Sequence, residues 1–260
     1  MVGWGREARV ALGRAKLAIG RGLSVWVLDA PDGFGDAGVH AHHAIQLTAC
    51  LDGELMITDG YRVVEGEAIA VAADAPHRFE AHGLLAFLFI EPESRLGRAL
   101  SARLFADTAI ARLPDSACAG ALAPLRRTFV DDLSPDVLLE AGRAALAYVA
   151  PEGPVAAPDP RIRRIVDFTQ ANLDRPLTLA SASEGVYLSP SRLRHLFVEQ
   201  TGLPFKTYLL WLRLVRALAV YSEGRSLTES AHAAGFADSA HFSRTFKRTF
   251  GLPATTLERL

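Results

Sequence analysis

Several features that would place this chain in a specialised class are rare or missing. It has two cysteines in 260 residues, Cys50 and Cys118, which are too few for a disulfide framework. It contains no apolar run close to the roughly twenty residues that a membrane helix needs, and its N-terminus lacks a charged-then-apolar signal pattern. We therefore expect a protein that works in a reducing cytoplasm without contacting a membrane.

The chain also lacks the excess of positive charge that is common in nucleic-acid-binding proteins. Its formal net charge is −1, with 28 Lys and Arg against 29 Asp and Glu. The charge is unevenly distributed, however. Residues 161–260 hold 14 basic and 8 acidic side chains, a balance of +6, whereas residues 1–160 hold 14 and 21, a balance of −7. A nucleic-acid interface is therefore expected in the C-terminal part.

The stretch from Leu227 to Pro253 predicts a helix, a turn and a second helix. Gly235 can take the positive φ that ends the first helix, and Asp238 or Ser239 can cap the second. In the second helix a phenylalanine recurs at every fourth position, which predicts one buried face. The opposite face is mostly polar and basic, as a helix in a DNA major groove requires. Its residues are Ser239, Ala240, His241, Ser243, Arg244, Lys247 and Arg248.

A similar pattern occurs about fifty residues earlier, so the region contains an internal repeat. Ser189 is the predicted N-cap of the earlier second helix and Pro190 its first residue. A long helical pattern from Phe205 to Tyr221 predicts a helix that joins the two units. The outward face of the earlier helix holds Ser191, Arg192, Arg194 and His195.

These motifs resemble the DNA-binding domain of the AraC/XylS transcription regulators over the last hundred residues, most specifically from Ser226 through Phe236 to Gly251. The resemblance implies two recognition helices that enter successive major grooves about 34 Å apart on one side of the duplex. It assigns base contacts to Ser191, Arg194 and His195 in the first unit and to Ala240, His241 and Arg244 in the second. Ala240 departs from this pattern because it has no polar group.

The resemblance also implies the partners of the protein. We expect double-stranded DNA, a small-molecule or metal effector, a second copy of the chain in a homodimer, and contact with RNA polymerase in a bacterial cytoplasm. The protein would then act on the nucleoid.

The first ninety residues read as short strands separated by Gly and Asp turns, which indicates a small barrel or sandwich. The predicted strands lie within Arg9–Asp29, Ala44–Leu51, Glu54–Thr58, Ala68–Ala72, Arg78–Ala81 and Leu84–Ile90. After Pro92 the periodicity becomes helical, with three amphipathic stripes. These exceed what is needed to cover a barrel, so we assign one stripe to a homodimer interface. Four prolines between Pro151 and Pro160 predict a semi-rigid linker.

The predicted fold is a two-domain α+β chain, with an N-terminal cupin-like β-barrel followed by helices and a C-terminal all-α tandem helix-turn-helix domain. The predicted bounds are 1–92 for the barrel, 93–150 for the helical dimerisation region, 151–160 for the linker and 161–260 for the DNA-binding domain.

The histidines of the first domain carry its candidate chemistry. His40, His42 and Gln46 share one face of an extended strand, and their spacing to Gly53 resembles the first cupin motif. The second motif keeps its spacing from Gly66 to His77 but not its identities. This resemblance implies that His40, His42 and His77 converge inside the barrel with Gln46 beside them. Imidazole nitrogens suit Zn, Ni, Cu or Fe, although neutral Gln46 leaves the site one negative charge short.

Three uses of these histidines stay open at this point: a bound metal ion, contact with an organic effector, or a structural role. His43 and His82 are expected on the surface, and Cys50 either lines the pocket or packs. Alanines between Ala41 and Ala73 favour spare volume inside the barrel. The predicted function is therefore a sequence-specific DNA-binding transcription regulator that senses a small molecule or metal ion, and not an enzyme.

Two rival functions fit parts of the same sequence. One is a metal-dependent cupin oxygenase or isomerase with an appended DNA-binding module. The other is a DNA-bending protein without an effector, which would have a barrel filled with bulky side chains.

Overall fold

The computed structural model describes residues 14–34, 37–150 and 157–259. Within these residues the N-terminal part forms one antiparallel sheet, in the order β1-β2-β6-β3-β5-β7 with β4 paired to β3. The strands are β1 (Ala15–Gly20), β2 (Leu23–Ala30), β3 (Ile45–Thr58), β4 (Val63–Glu65), β5 (Ala68–Val71), β6 (Arg78–Ile90) and β7 (Ile110–Arg112). Because β1 and β7 lie at the two ends of this order, the described strands form an open sheet and not the closed barrel that the cupin resemblance implies.

Strands β3 and β6 each run through a position where the sequence predicts a turn. Gly53 of β3 pairs with Gly83 of β6, and a Cβ atom on either would lie 2.1 or 2.0 Å from a carbonyl oxygen of the other strand. Both glycines have positive φ, so only glycine permits this close approach. The register shift between Cys50 and Asp52 is a bulge beside the same point. The glycines therefore mark a bend within two long strands, and not the end of four short ones.

The alternation of side chains along the strands gives the sheet two faces of different chemistry. One face is aliphatic and includes Val25, Val27 and Leu88. The other face is aromatic and includes Trp26 and Phe87. The aliphatic face packs against the helices that follow the sheet, whereas the aromatic face is continuous with the apolar core of the C-terminal half.

Three helices cover the aliphatic face: α1 (Arg95–Leu104), α2 (Asp115–Val130) and α3 (Pro135–Val149). Each of the three predicted stripes contributes to this core, for example through Leu100, Leu125 and Ala141. Strand β7 lies between α1 and α2, in a region that the sequence predicts as helical. Other members of the second and third stripes, Leu133 and Tyr148, are exposed, so the assignment of one stripe to a homodimer stays a prediction.

The regular elements of the described C-terminal residues are all helices. They are α4 (Pro160–Ala171), α5 (Leu179–Ala182), α6 (Pro190–Thr201), α7 (Phe205–Ser222), α8 (Leu227–Ala233), α9 (Ser239–Phe250) and a 3-10 helix (Ala254–Arg259). The pairs α5–α6 and α8–α9 are the two helix-turn-helix units, and α7 joins them. Most of the predicted linker, residues 151–156, lies outside the described part. None of the helices that the structure describes has the length and apolar character that crossing a membrane requires.

The two recognition helices, α6 and α9, begin and end in the same way. The side chains of Ser189 and Asp238 cap their first turns by accepting hydrogen bonds from backbone N–H groups. Each helix ends at a glycine in the left-handed conformation, Gly202 with φ 81° and Gly251 with φ 73°. Gly235 has φ 79° in the turn between α8 and α9, as the sequence predicts. These local signals explain why the ends of both helices could be predicted from the sequence.

Candidate functional site

His40, His42 and His77 lie together at one end of the aromatic face. An isolated bridge pairs His40 with His77 through two backbone hydrogen bonds of 3.0 and 2.9 Å. One ring nitrogen from each of the three side chains lies within 4.8 Å of the others, and all three side chains are buried. Gln46 lies beside them, with its Oε1 atom 2.8 Å from Nε2 of His42.

Backbone carbonyls orient the three imidazole rings. Nδ1 of His40 lies 2.9 Å from the Gly38 oxygen, and Nδ1 of His42 and His77 lies 2.9 Å from the oxygens of Ala44 and Ala75. A carbonyl oxygen can only accept, so Nδ1 carries the proton in each ring and Nε2 carries the lone pair. This arrangement is the one that metal-binding histidines usually show, with the second nitrogen fixed by a hydrogen bond.

Several buried polar atoms in this site lack a suitable hydrogen-bond partner. Among the described residues, Nε2 of His77 and Nε1 of Trp26 have no hydrogen-bond partner. In addition, the lone pair of His42 Nε2 faces Oε1 of Gln46, while the Gln46 amide nitrogen donates to Thr48 at 2.7 Å. A cation between His42 and Gln46 would relieve this pairing of two acceptors, as would a turned amide. The donor set therefore fits a metal ion at the histidines.

Burial keeps the three histidines neutral. It lowers the pKa of His42 to about 4 and, together with the nearby rings of His42 and His40, that of His77 to about 3. Burial also lowers the pKa of His40. Metal ligation requires the neutral imidazole, so at neutral pH no proton has to leave these rings before an ion binds.

The cavity at the site has a volume of only about 20 Å³. This is enough for one water molecule, which needs about 10–15 Å³, but a drug-sized ligand needs roughly 300 Å³ or more. The predicted spare volume is therefore wrong, because aromatic rings fill the interior while Ala49 belongs to the aliphatic face and Ala41 is exposed. The cavity is lined by Trp26, Leu28, His40, Gln46, Phe79, Phe87, Phe89, Phe250 and Leu252. The last two belong to the helical C-terminal half, and the sequence gives no sign that they reach this site.

His43 was predicted to lie on the surface, but its side chain is only 2% exposed. Its ring nitrogens lie 3.3 Å from an Asp74 carboxylate oxygen and 3.4 Å from a Glu93 carboxylate oxygen. Burial alone would lower the pKa of His43, but the two carboxylates outweigh it and raise the pKa to about 9. The prediction assumed a regular strand, whereas the chain bends at residues 43–44. His82 is exposed, as expected.

The same network joins the sheet domain to the helical C-terminal half. The Tyr208 hydroxyl of α7 donates a 2.7 Å hydrogen bond to Glu93, and the ring of His43 packs edge-on against those of Tyr208 and Trp211. An exposed ion pair between Arg21 and Asp167 adds a second link. The two halves are therefore connected by polar contacts as well as by the shared core.

The candidate DNA interface is the outward surface of α6 and α9. Ser191, Arg192, Arg194 and His195 are exposed on α6, and Ala240, Arg244, Lys247 and Arg248 are exposed on α9. Ser239, His241 and Ser243 are half-buried. The ring of His241 lies 5.2 Å from that of Phe236 in the preceding turn. Within the described residues neither Arg194 nor Arg244 forms an ion pair, so both guanidinium groups are available to DNA.

Comparison with known proteins identifies the C-terminal domain. Residues 183–259 match a family described as a helix-turn-helix domain. The chain is 33% identical over 95 residues to the HTH-type transcriptional regulator GbdR of Pseudomonas aeruginosa, covering 36% of this chain and 26% of that protein. It is 34% identical over 106 residues to the XylDLEGF operon transcriptional activator 1 of Pseudomonas putida, covering 39% and 32%. The match thus spans about a third or less of these relatives.

A likeness in structure extends over both halves of the chain. ToxT from Vibrio cholerae O395 superposes with a TM-score of 0.57 at 13% identity, over 93% of this chain and 99% of that one. Another ToxT structure is described as bound to an unsaturated fatty acid. At this identity the likeness shows the fold alone. The chain therefore has a two-part fold like that of ToxT, and its residues 183–259 match a helix-turn-helix domain that is similar to parts of known transcription regulators.

Proposed function

We propose that this protein is a transcription regulator that reads a specific DNA sequence with α6 and α9 and responds to a ligand at the histidine site. The observation that carries the proposal is a pair of capped recognition helices, each with an exposed basic face, in a domain shared with known regulators. These relatives favour a regulator over the rival cupin oxygenase or isomerase.

The two exposed arginines, Arg194 on α6 and Arg244 on α9, are the proposed base readers. A guanidinium group that forms two hydrogen bonds with guanine contributes about 1–3 kcal/mol of discrimination against other bases. Lys247 and Arg248 lie further along α9, where a cation contacts phosphate and adds affinity without sequence preference.

This assignment is tested by selecting bound sequences from a randomised DNA pool. We expect Arg244→Ala to lose preference at one base position of the selected site and to leave the other positions unchanged. Lys247→Ala is the matched control on the same helix, and it should weaken binding to all sequences and reduce the salt dependence. An Arg244→Ala site identical to that of the wild type at every position would refute the role of Arg244.

We further propose that the ligand of the sheet domain is a transition-metal ion, with Zn, Ni, Cu and Fe as candidates. His40, His42 and His77 would hold it through Nε2, and Gln46 would approach through Oε1. Nitrogen–metal bonds are about 2 Å long, so small ring movements are needed to bring the three nitrogens within reach. An organic acid of the kind that ToxT binds would not fit the 20 Å³ cavity of this arrangement.

The neutral donor set also favours reversible binding. Three imidazoles and one amide provide no negative charge, so a buried ion keeps its charge uncompensated and binds less tightly than in a site with a carboxylate. An ion that exchanges is expected in a sensor site, whereas a structural site usually holds its ion permanently.

Elemental analysis of untagged protein tests this part of the proposal. We expect about one metal ion per chain in the wild type and none in a His40→Ala, His77→Ala double variant. His82→Ala is the matched control, because it removes an exposed histidine outside the site and should retain the ion. Absence of metal from the wild type, even after incubation with each ion, would exclude the metal effector and leave the DNA-reading role intact.

The homodimer and the contact with RNA polymerase rest on the family resemblance alone. Sedimentation of the purified chain with and without DNA tests the first of them, with a mass of two chains as the expected result.

A further inference from the structure

The histidine site is closed by the end of the second recognition helix. We define the helix-end lid as Phe250, Gly251 and Leu252, where α9 ends. Phe250 and Leu252 line the cavity, although they are more than 160 residues from the nearest other lining residue in the sequence. The part of the chain that reads DNA thus contributes part of the wall of the proposed sensor site.

Phe250 is packed into the sheet domain by aromatic contacts. Its ring centroid lies 5.0 Å from that of Trp26 and 5.3 Å from that of Phe89, both on the aromatic face of the sheet. It also lies 6.1 Å from the ring of His42. Only 4% of Phe250 is exposed, so this side chain is as buried as a residue of either core.

Gly251 brings the backbone of the lid against a histidine of the site. A Cβ atom at this position would lie 2.6 Å from Nδ1 of His40. It would also lie 3.0 Å from the Gly38 oxygen that accepts a hydrogen bond from that nitrogen. The equivalent glycine of α6, Gly202, faces the neighbouring histidine, with Cβ 3.5 Å from Cε1 of His43. Both recognition helices therefore end on the segment of residues 38–44 that carries the histidines.

We infer that the helix-end lid gates the histidine site, so that a ligand enters or leaves only when the DNA-binding half moves away from the sheet. The site has room for one ion or water, its three histidines are buried, and the lid lies against His40 and His42. A helix is rigid over a few residues, so movement of Phe250 also moves Arg244 and Lys247 on α9. By linkage, whatever changes the opening of the lid changes ligand exchange and DNA reading together.

The polar contacts between the halves set how often the lid opens. Tyr208 holds α7 to Glu93, which in turn pairs with His43, and neither Tyr208 nor Glu93 lines the cavity. Loss of the Tyr208 hydroxyl should therefore loosen the closed arrangement while leaving the lid residues and the donor set intact.

The inference rests on the proposed histidine site, and it is tested by the rate at which a chelator removes Ni²⁺ or Zn²⁺ from the loaded full-length protein. We expect Phe250→Ala and Leu252→Ala each to speed removal about tenfold or more, the change that corresponds to about 1.4 kcal/mol of lost contact. Lys247→Ala is the control on the exposed side of α9 and should match the wild type. Two folded lid variants that release the ion at the wild-type rate would overturn the gate.

Tyr208→Phe separates movement of the whole DNA-binding half from local movement of the lid. Faster removal in this variant supports the coupling between the halves. A wild-type rate in Tyr208→Phe, combined with fast removal in Phe250→Ala, would mean that the lid opens alone and would overturn the coupling.

The two glycines provide a second matched pair. Gly251→Ala and Gly202→Ala introduce similar backbone strain, because both positions have positive φ. Only Gly251→Ala adds a contact too short to accommodate beside His40, so only this variant should open the site. Equal removal rates in the two variants would contradict the role of the lid.

A readout without metal keeps the gate distinct from the metal proposal. Modification of His42 and His77 by diethyl pyrocarbonate, followed by mass spectrometry of peptides from metal-free protein, reports access to the rings. If the protein binds no metal but these rings react faster in Phe250→Ala than in the wild type, the metal effector is refuted and the gate is supported. Equally slow modification in the wild type and in Phe250→Ala would refute the gate, whether or not the protein binds metal.

Discussion

The two faces of the sheet are completed in different ways. The aliphatic face is covered by α1, α2 and α3, which follow it in the same domain. The aromatic face carries the buried polar residues His42, Gln46 and Thr48 and is completed by Phe250 from the far end of the chain. A face closed by its own domain stabilises the fold, whereas a face closed by the other half of the chain can transmit a signal between the halves. The contrast leads to three predictions.

The largest effect of a single substitution is expected on the aliphatic face. Leu88 is fully buried between β6 and the covering helices, so Leu88→Ala should lower the free energy of unfolding of the sheet domain by about 2–5 kcal/mol. Urea denaturation followed by circular dichroism measures the loss. Val137→Ala, at a position of α3 that is 39% exposed, should change stability by less than about 0.5 kcal/mol. Equal losses of unfolding free energy in Leu88→Ala and Val137→Ala would contradict the prediction that the buried face contributes more stability than the exposed helix surface.

Acid should destabilise the aromatic face specifically. The pKa values of His42 and His77 are lowered from 6.5 to about 4 and about 3 by folding, so the unfolded chain binds more protons at low pH. Their contribution is complete above pH 6.5 and is lost as pH falls toward 4, at up to about 1.4 kcal/mol per pH unit for each ring.

Urea titrations of chelator-treated protein at a series of pH values measure this slope. His77→Gln should reduce the slope of stability against pH by the contribution of one ring, and His82→Ala should leave the slope unchanged. An unchanged slope in His77→Gln would show that this ring does not become neutral on folding.

Alkaline conditions should have a smaller effect, through one residue at the rim of the same face. The pKa of His43 rises from 6.5 to about 9 on folding, so the folded chain holds this proton more tightly than the unfolded chain. The resulting stability is complete below pH 6.5 and is lost as pH rises to 9, by up to about 1.4 kcal/mol per pH unit. Thermal unfolding of wild type and His43→Gln between pH 6.5 and 9 compares the slopes, and parallel curves would rule out a charged His43.

The helix-turn-helix units were predictable because their signals are local. Ser189, Asp238, Gly202 and Gly251 act within one turn of the helices that they begin or end, and the phenylalanine repeat of α9 requires no knowledge of distant residues. The grouping of His40, His42 and His77 followed from spacings that resemble cupin motifs. A spacing could not show that the sheet stays open, that residues from all three helical stripes would pack on it, or that so little space remains inside.

The sequence by itself determined the recognition helices, their caps and the residues on their exposed faces, because hydrogen bonds and helical periodicity over a few residues are enough to specify them. Only the tertiary structure decided which side chains complete the histidine site. Phe250 meets Trp26, and Tyr208 meets Glu93 across 115 positions of the chain. The burial of His43 and its raised pKa have the same origin, since its carboxylate partners come from other segments. Such contacts depend on how the two halves pack, and no local pattern encodes them.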